Sequence, residues 1–129
     1  MSATHDGRRA GVQNVSHLLV QVADLERARA FYVDLLGFTV REASTLADGR
    51  TFLSTTQGLG ITTFPSGVES PAPSFDHLAF RCPNGIEPLR TLLETTGVPY
   101  EARRSPYGNS LYFRDPDGYL LECHDSTGV

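Results

Sequence analysis

The chain has no tryptophan, two cysteines and one methionine among its 129 residues. Without Trp, its aromatic surface falls to Tyr and Phe. The two thiols, Cys82 and Cys123, lie far apart and form no CxxC motif. The plain reading is a reduced, cytoplasmic protein with two structural thiols; sequence gives no Cα separation, so pairing stays open. No apolar run approaches the roughly 20 residues of a membrane span, so a membrane is not expected as a partner. The opening MSATHDGRRAG carries charge but no apolar core, unlike a secretory signal. Formal net charge is −4, and basic residues come as pairs (Arg8–Arg9, Arg103–Arg104) rather than as a stripe, so nucleic acid is not expected either. The length suits one compact domain with a real core and little more.

What the chain does contain is a weak internal repeat. His17 opens the apolar stretch His17-Leu-Leu-Val-Gln-Val22, and His77 opens His77-Leu-Ala-Phe-Arg-Cys82, at an offset of 60 residues. A helical pattern follows each, stopped by Gly37 and by Gly97, again 60 apart. Each half therefore reads as strand, helix, then strands. In the first half the strand spans residues 14–22 and Asp24 caps a helix whose apolar positions include Leu25, Ala28, Phe31, Tyr32, Leu35 and Leu36. Residues 38–43, 51–56 and 60–64 read as strands. In the second half residues 77–82 form a strand and 86–96 a helix with Pro88 in its first turn. Residues 100–102 read as a short strand, and 109–114 and 119–125 as a hairpin closed by Asp115-Pro116-Asp117-Gly118. The organisation expected is a flexible tail (1–13) and a single domain (14–125), with module one at 14–65, a Pro- and Ser-rich linker at 66–74 and module two at 75–125.

Strand side chains alternate faces. Ser110 and Tyr112 share one face of the hairpin, and Glu122 and His124 share one on its partner strand. If the faces match across the turn, the four form a polar cluster. Glu122 stands in the apolar setting Tyr119-Leu120-Leu121-Glu122-Cys123, where an unpaired carboxylate is costly. His17 and His77 occupy equivalent places in the repeat. Two imidazoles and a carboxylate suit one divalent ion, Fe, Mn, Zn or Ni, and three protein ligands leave a position open for water or substrate. The plainer alternative is that each histidine is an ordinary packed strand residue and that Glu122 faces solvent from an edge.

Three segments resemble the vicinal oxygen chelate superfamily, also called glyoxalase/bleomycin-resistance/dioxygenase. They are His17-Leu-Leu-Val-Gln-Val-Ala-Asp-Leu-Glu-Arg-Ala-Arg-Ala-Phe-Tyr-Val-Asp-Leu-Leu-Gly-Phe38, His77-Leu-Ala-Phe80 and Tyr112-Phe-Arg-Asp-Pro-Asp-Gly-Tyr-Leu-Leu-Glu122. The resemblance implies an α+β fold of two βαβββ modules, forming a curled mixed-sheet half-barrel around a metal cleft. It implies the ligand set His17, His77 and Glu122. It also implies a homodimer, with the site formed within one chain or across the interface. Glyoxalase relatives place a further carboxylate ligand where the repeat offset puts Thr62, so a lactoylglutathione lyase is disfavoured. Extradiol dioxygenases use a tyrosine resembling Tyr112. Fosfomycin-modifying thiol transferases resemble the chain at Ser110-Leu-Tyr112-Phe and Glu122-Cys-His124, and their lid-loop lysine falls near Ala102.

The function expected is a metal-dependent enzyme that holds a small-molecule substrate through its oxygens, with a dioxygenase-like reaction first. A thiol transferase, isomerase or hydrolase is one alternative, and a metal-free drug- or metabolite-binding protein the other. Tyr112, Ser110 and His124 are the candidate catalytic residues. Arg103, Arg104 and Tyr107 are candidate substrate-binding residues on a segment, 100–109, read either as a lid or as a solvated loop.

Overall fold

The computed structural model describes residues 10–68 and 74–126. Its elements run β1 (Leu18–Val22), α1 (Leu25–Arg29) continuing as a π-helical stretch (Ala30–Leu35), β2 (Val40–Thr45), β3 (Thr51–Thr55), β4 (Leu59–Thr63), β5 (Leu78–Arg81), α2 (Glu87–Thr96), β6 (Tyr100–Ser105), β7 (Gly108–Arg114) and β8 (Leu120–His124). This is the expected βαβββ plan twice over. Among the described residues no helix is long and apolar enough to cross a membrane. The expected tail falls largely on residues 1–9, and much of the expected linker on residues 69–73, all outside the described residues.

Asp24 caps α1 by accepting from Arg27 N at 3.1 Å. Beyond Arg29 the turns widen, with Leu36 N donating to Phe31 O at 3.0 Å and Phe38 N to Tyr32 O at 2.8 Å. The sequence pattern predicts a plain α-helix here. The wider turn accompanies two adjacent aromatic residues, Phe31 and Tyr32, that are both buried. Gly37, at φ 81°, takes the left-handed conformation that ends the helix.

The strands form two open four-stranded sheets, ordered β1-β4-β3-β2 and β5-β8-β7-β6. In each sheet the first strand pairs in parallel with the last, and the remaining neighbours are antiparallel. Three strand expectations change. β1 begins at Leu18, so His17 precedes it, and His77 likewise precedes β5. The segment 100–109 is not an open solvated loop: Tyr100 through Ser105 pair in register with Phe113 through Gly108. Its backbone groups find ladder partners that an open loop would leave to water.

One core joins the modules, with Val20, Tyr32, Leu53 and Ile61 from the first and Leu93, Leu111 and Leu121 from the second. The Asp115–Gly118 turn closes as expected, Gly118 N donating to Asp115 O at 3.0 Å. It also fastens the halves together. Tyr32 donates to Asp115 Oδ2 at 2.6 Å, Ala23 N to Asp117 Oδ1 at 2.8 Å, and Tyr119 to Gln21 O at 2.7 Å. Aromatic contacts bridge the same boundary, Phe38 against Phe80 at 5.1 Å and Phe31 against Phe113 at 6.2 Å between centroids.

Candidate metal and substrate site

The register of β7 on β8 sets Ser110 opposite His124 and Tyr112 opposite Glu122. The two polar faces therefore match across the hairpin. Ser110 donates to Glu122 Oε2 at 2.8 Å. The parallel pairing of β5 on β8 sets Ala79 opposite Glu122, which brings His77, two residues earlier, to the same carboxylate. His77 Nε2 lies 3.1 Å from Glu122 Oε1. Its other nitrogen, Nδ1, lies 2.5 Å from Asp76 Oδ2. The Asp76 hydrogen bond raises the His77 pKa, desolvation opposes the rise, and Glu122 adds to it. Asp76 was missed by sequence reasoning, although the Asp-His dipeptide was in plain view.

Tyr112 hydrogen-bonds Glu122, and its pKa is raised first by desolvation and then by that carboxylate. The Tyr112 ring stands edge-on to the His77 ring at 6.0 Å. The Arg103 guanidinium lies over the Tyr112 ring, 4.9 Å from its centroid, and pairs with Glu101 at 3.1 Å. A cavity of about 740 Å³ is lined by Asp76, His77, Tyr100, Arg103, Tyr112 and Leu120. A second, of about 410 Å³, is lined by Arg104, Tyr107, Ser110, Glu122 and His124 and shares His77, Arg103 and Tyr112 with the first. His124 is 7 % exposed, and its Nδ1 has no hydrogen-bond partner among the described residues.

Eight of the nine candidate residues thus line one cleft. His17 does not. It lines a separate cavity of about 280 Å³ with Ser16, Arg41, Phe52, Ser54 and Gly60, and its Nδ1 bonds Ser16 Oγ at 2.9 Å. Among the described residues no three His, Cys, Asp or Glu side chains are grouped to hold a metal within one chain.

The register also corrects the counterpart of Glu122. Ala79 pairs with Glu122, and its repeat equivalent Leu19 pairs with Gly60. The matching position in module one is therefore Gly60, not Thr62. Thr62 is buried and donates to Thr51 O at 2.8 Å. A Cβ at Gly60 would lie 2.6 Å from the Phe52 ring, which fills the space. Neither position offers a carboxylate.

The donor set of the second module fits a divalent ion as far as it goes. Two ligands about 2.0–2.1 Å from one ion at a tetrahedral angle stand roughly 3.4 Å apart, close to the 3.1 Å between His77 Nε2 and Glu122 Oε1. With Asp76 accepting from Nδ1–H, Nε2 keeps its lone pair for a metal, and Ser110 orients the carboxylate. Imidazole and carboxylate together suit several first-row ions. Two ligands alone leave such an ion short of a third.

A family model described as Glyoxalase/Bleomycin resistance protein/Dioxygenase superfamily matches residues 14–123. The chain is similar to a glutathione transferase FosA of Serratia marcescens, 31% identical over 88% of this chain and 81% of the relative. It is also similar to a metallothiol transferase FosB of Shouchella clausii, 29% identical over 90% of this chain and 82% of the relative. Among solved structures, a glyoxalase family protein from Enterococcus faecalis superposes with a TM-score of 0.67 at 28% identity, covering 87% of this chain and 97% of the other.

Proposed function

This chain belongs to the glyoxalase/bleomycin resistance protein/dioxygenase superfamily, and on that premise we propose that it is a divalent-metal-dependent enzyme that holds a small substrate through the substrate's oxygens. The observation that carries the reading is the His77–Glu122 pair, 3.1 Å apart in a cleft lined also by Ser110, Tyr112 and Arg103. His77 and Glu122 of one subunit would hold Fe, Mn, Zn or Ni together with His17 of a second subunit, since His17 of the same chain opens into a different cavity. A homodimer follows. The β1 end offers an apolar surface for it, with Leu18, Leu19, Val12 and Val15 exposed.

When bound, the metal supplies a Lewis acid that stabilises negative charge on a substrate oxygen. The remaining work falls to side chains of this chain. Asp76 fixes the His77 tautomer, and Ser110 holds Glu122 in place. Tyr112, kept protonated by burial and by Glu122, donates its phenol hydrogen to a substrate oxygen. Arg103 and Arg104 attract an anionic group, and His124 closes the cleft floor.

Thiol transfer to a small anionic substrate is the reaction class we favour. FosA and FosB carry transferase names, and Gly60 and Thr62 provide no carboxylate base for a proton-abstracting lyase. A dioxygenase-like reaction is the second reading, and it rests on Tyr112 beside His77 and Glu122. Glutathione consumption with fosfomycin and oxygen uptake with catechols after anaerobic Fe(II) reconstitution separate the two.

The reading as a whole is tested by metal content of tag-free protein. Near-stoichiometric metal in the parent, lost in His77→Ala and Glu122→Ala, is the expected result. A parent that takes up none of Fe, Mn, Zn or Ni moves the assignment to a metal-free binding protein. Mixing His17→Ala with His77→Ala subunits tests the shared site: re-association restores about one quarter of the sites if each spans two subunits, and none if each lies within one.

A further inference from the structure

Cys82 and Cys123 lie behind the second sheet. Alternation along β8 sends Glu122 and His124 to the cleft and Leu121 and Cys123 to the opposite, helix-covered side. Cys123 is 6 % exposed, and Cys82 is half-buried just past the end of β5. The Cys82 N–H donates to His124 O at 2.7 Å, holding the residue beside β8. There the Cys123 thiol hydrogen-bonds the Cys82 sulfur. Both residues line a cavity of about 430 Å³ between the modules, walled by Leu36, Phe38, Phe80, Leu89 and Leu92. Two thiols in contact at an apolar opening form a built feature that the metal site does not use.

We propose that Cys82 and Cys123 are a redox pair, oxidised to an intramolecular disulfide by small apolar hydroperoxides that enter this cavity. The Cys82 sulfur attacks the terminal oxygen of the hydroperoxide. The O–O bond breaks, the alkoxide leaves and takes a proton to become an alcohol, and Cys82 becomes a sulfenic acid. The Cys123 sulfur then attacks the Cys82 sulfur, the S–O bond breaks, and the oxygen leaves as water carrying the Cys123 proton. Two thiols are oxidised and one hydroperoxide is reduced to alcohol and water. The Cys123 hydrogen bond supports the first step by drawing the Cys82 pKa below its ordinary value, which favours the thiolate. Disulfide sulfurs sit at about 2.05 Å, nearer than hydrogen-bonded thiols. The turn Cys82-Pro83-Asn84-Gly85, closed by Gly85 N to Cys82 O at 3.1 Å, lies outside β5 and supplies the movement.

The test treats the full chain with cumene hydroperoxide or hydrogen peroxide, then alkylates it in denaturant and measures intact mass. The parent is expected to lose both thiols and two hydrogens as a monomeric, Cys82–Cys123 cross-linked product, faster with cumene hydroperoxide than with hydrogen peroxide. Cys123→Ser and Cys123→Ala each stop at a Cys82 sulfenic acid that dimedone traps, and Cys82→Ser keeps Cys123 as a free thiol. His77→Ala oxidises like the parent, which separates this chemistry from metal-driven oxidation at the cleft. Two free thiols in the parent after excess hydroperoxide, oxidation of Cys123 in Cys82→Ser, or loss of oxidation in His77→Ala each overturn the proposal.

Discussion

Tyr32→Phe removes one hydroxyl and leaves the ring. Tyr32 is fully buried, and its ring contacts with Phe31 at 5.2 Å and Phe38 at 5.5 Å survive the change. What is lost is the 2.6 Å hydrogen bond to Asp115 Oδ2. Asp115 keeps its Oδ1 partners, the backbone N–H groups of Asp117 and Tyr119, both at 2.9 Å. A buried hydrogen bond to a charged group contributes about 1.5–3 kcal/mol, so the variant should unfold about 2 kcal/mol more easily at pH 7. For a chain of this size that lowers Tm by roughly 5–10 °C.

The cost should also depend on pH. Burial raises the Asp115 pKa, and the Tyr32 hydrogen bond opposes that rise. A carboxyl raised in the folded state favours folding when protonated. That gain is complete below the unfolded value of about 3.9 and is lost as pH rises through the raised folded value. Removing the Tyr32 donor raises the folded value further, so the penalty is largest at neutral pH and shrinks as the carboxyl protonates. Urea unfolding followed by circular dichroism at pH 7 and pH 4 measures both parts. A cost below about 0.5 kcal/mol at pH 7, outside the range for such a bond, or a cost equal at the two pH values, would refute the argument.

Ser110→Ala removes the donor that orients Glu122 and should weaken metal affinity by about 10–100-fold, read by competition against a chromophoric chelator; unchanged affinity would remove Ser110 from the site. Asp76→Asn takes away the main support of the raised His77 pKa, so the His77 ring resonances of metal-free protein should titrate at lower pH by NMR than in the parent. Gly60→Ala forces a Cβ to 2.6 Å from the Phe52 ring and should cost about 1–3 kcal/mol as overpacking. Combining it with Phe52→Leu should recover part of that loss in the same urea assay.

The repeat made the fold legible. The equivalent histidines and the two helix-stopping glycines mark matching places in two modules, and Asp24 and the Asp115–Gly118 turn do locally what their side chains predict. β6 was underread because all but its first residue are exposed, so no apolar alternation betrays it. The π-helical turns escaped for a related reason: apolar spacing alone does not separate an i→i+4 from an i→i+5 ladder. The hairpin cluster of Ser110, Tyr112, Glu122 and His124 followed from alternation across a short turn. Two things were beyond the residue pattern. One was register, which depends on how many residues separate paired strands; module two spends two more than module one, since Leu18 faces Leu59 but Leu78 faces Leu121. The other was which cavity His17 enters, because a repeat shows that two residues are equivalent, not that they meet.

The Phe52 ring beside Gly60 couples two positions of the first module. The two modules share one plan, yet only the second presents a carboxylate at this position. A Gly60→Glu change arriving first meets an aromatic ring where its Cβ must go. A carboxylate at position 60 is therefore better accepted once position 52 carries a smaller side chain, a substitution that brings no ligand of its own. Matching the halves at this position is thus a coupled change of two residues, and a single substitution at position 60 has to displace the Phe52 ring.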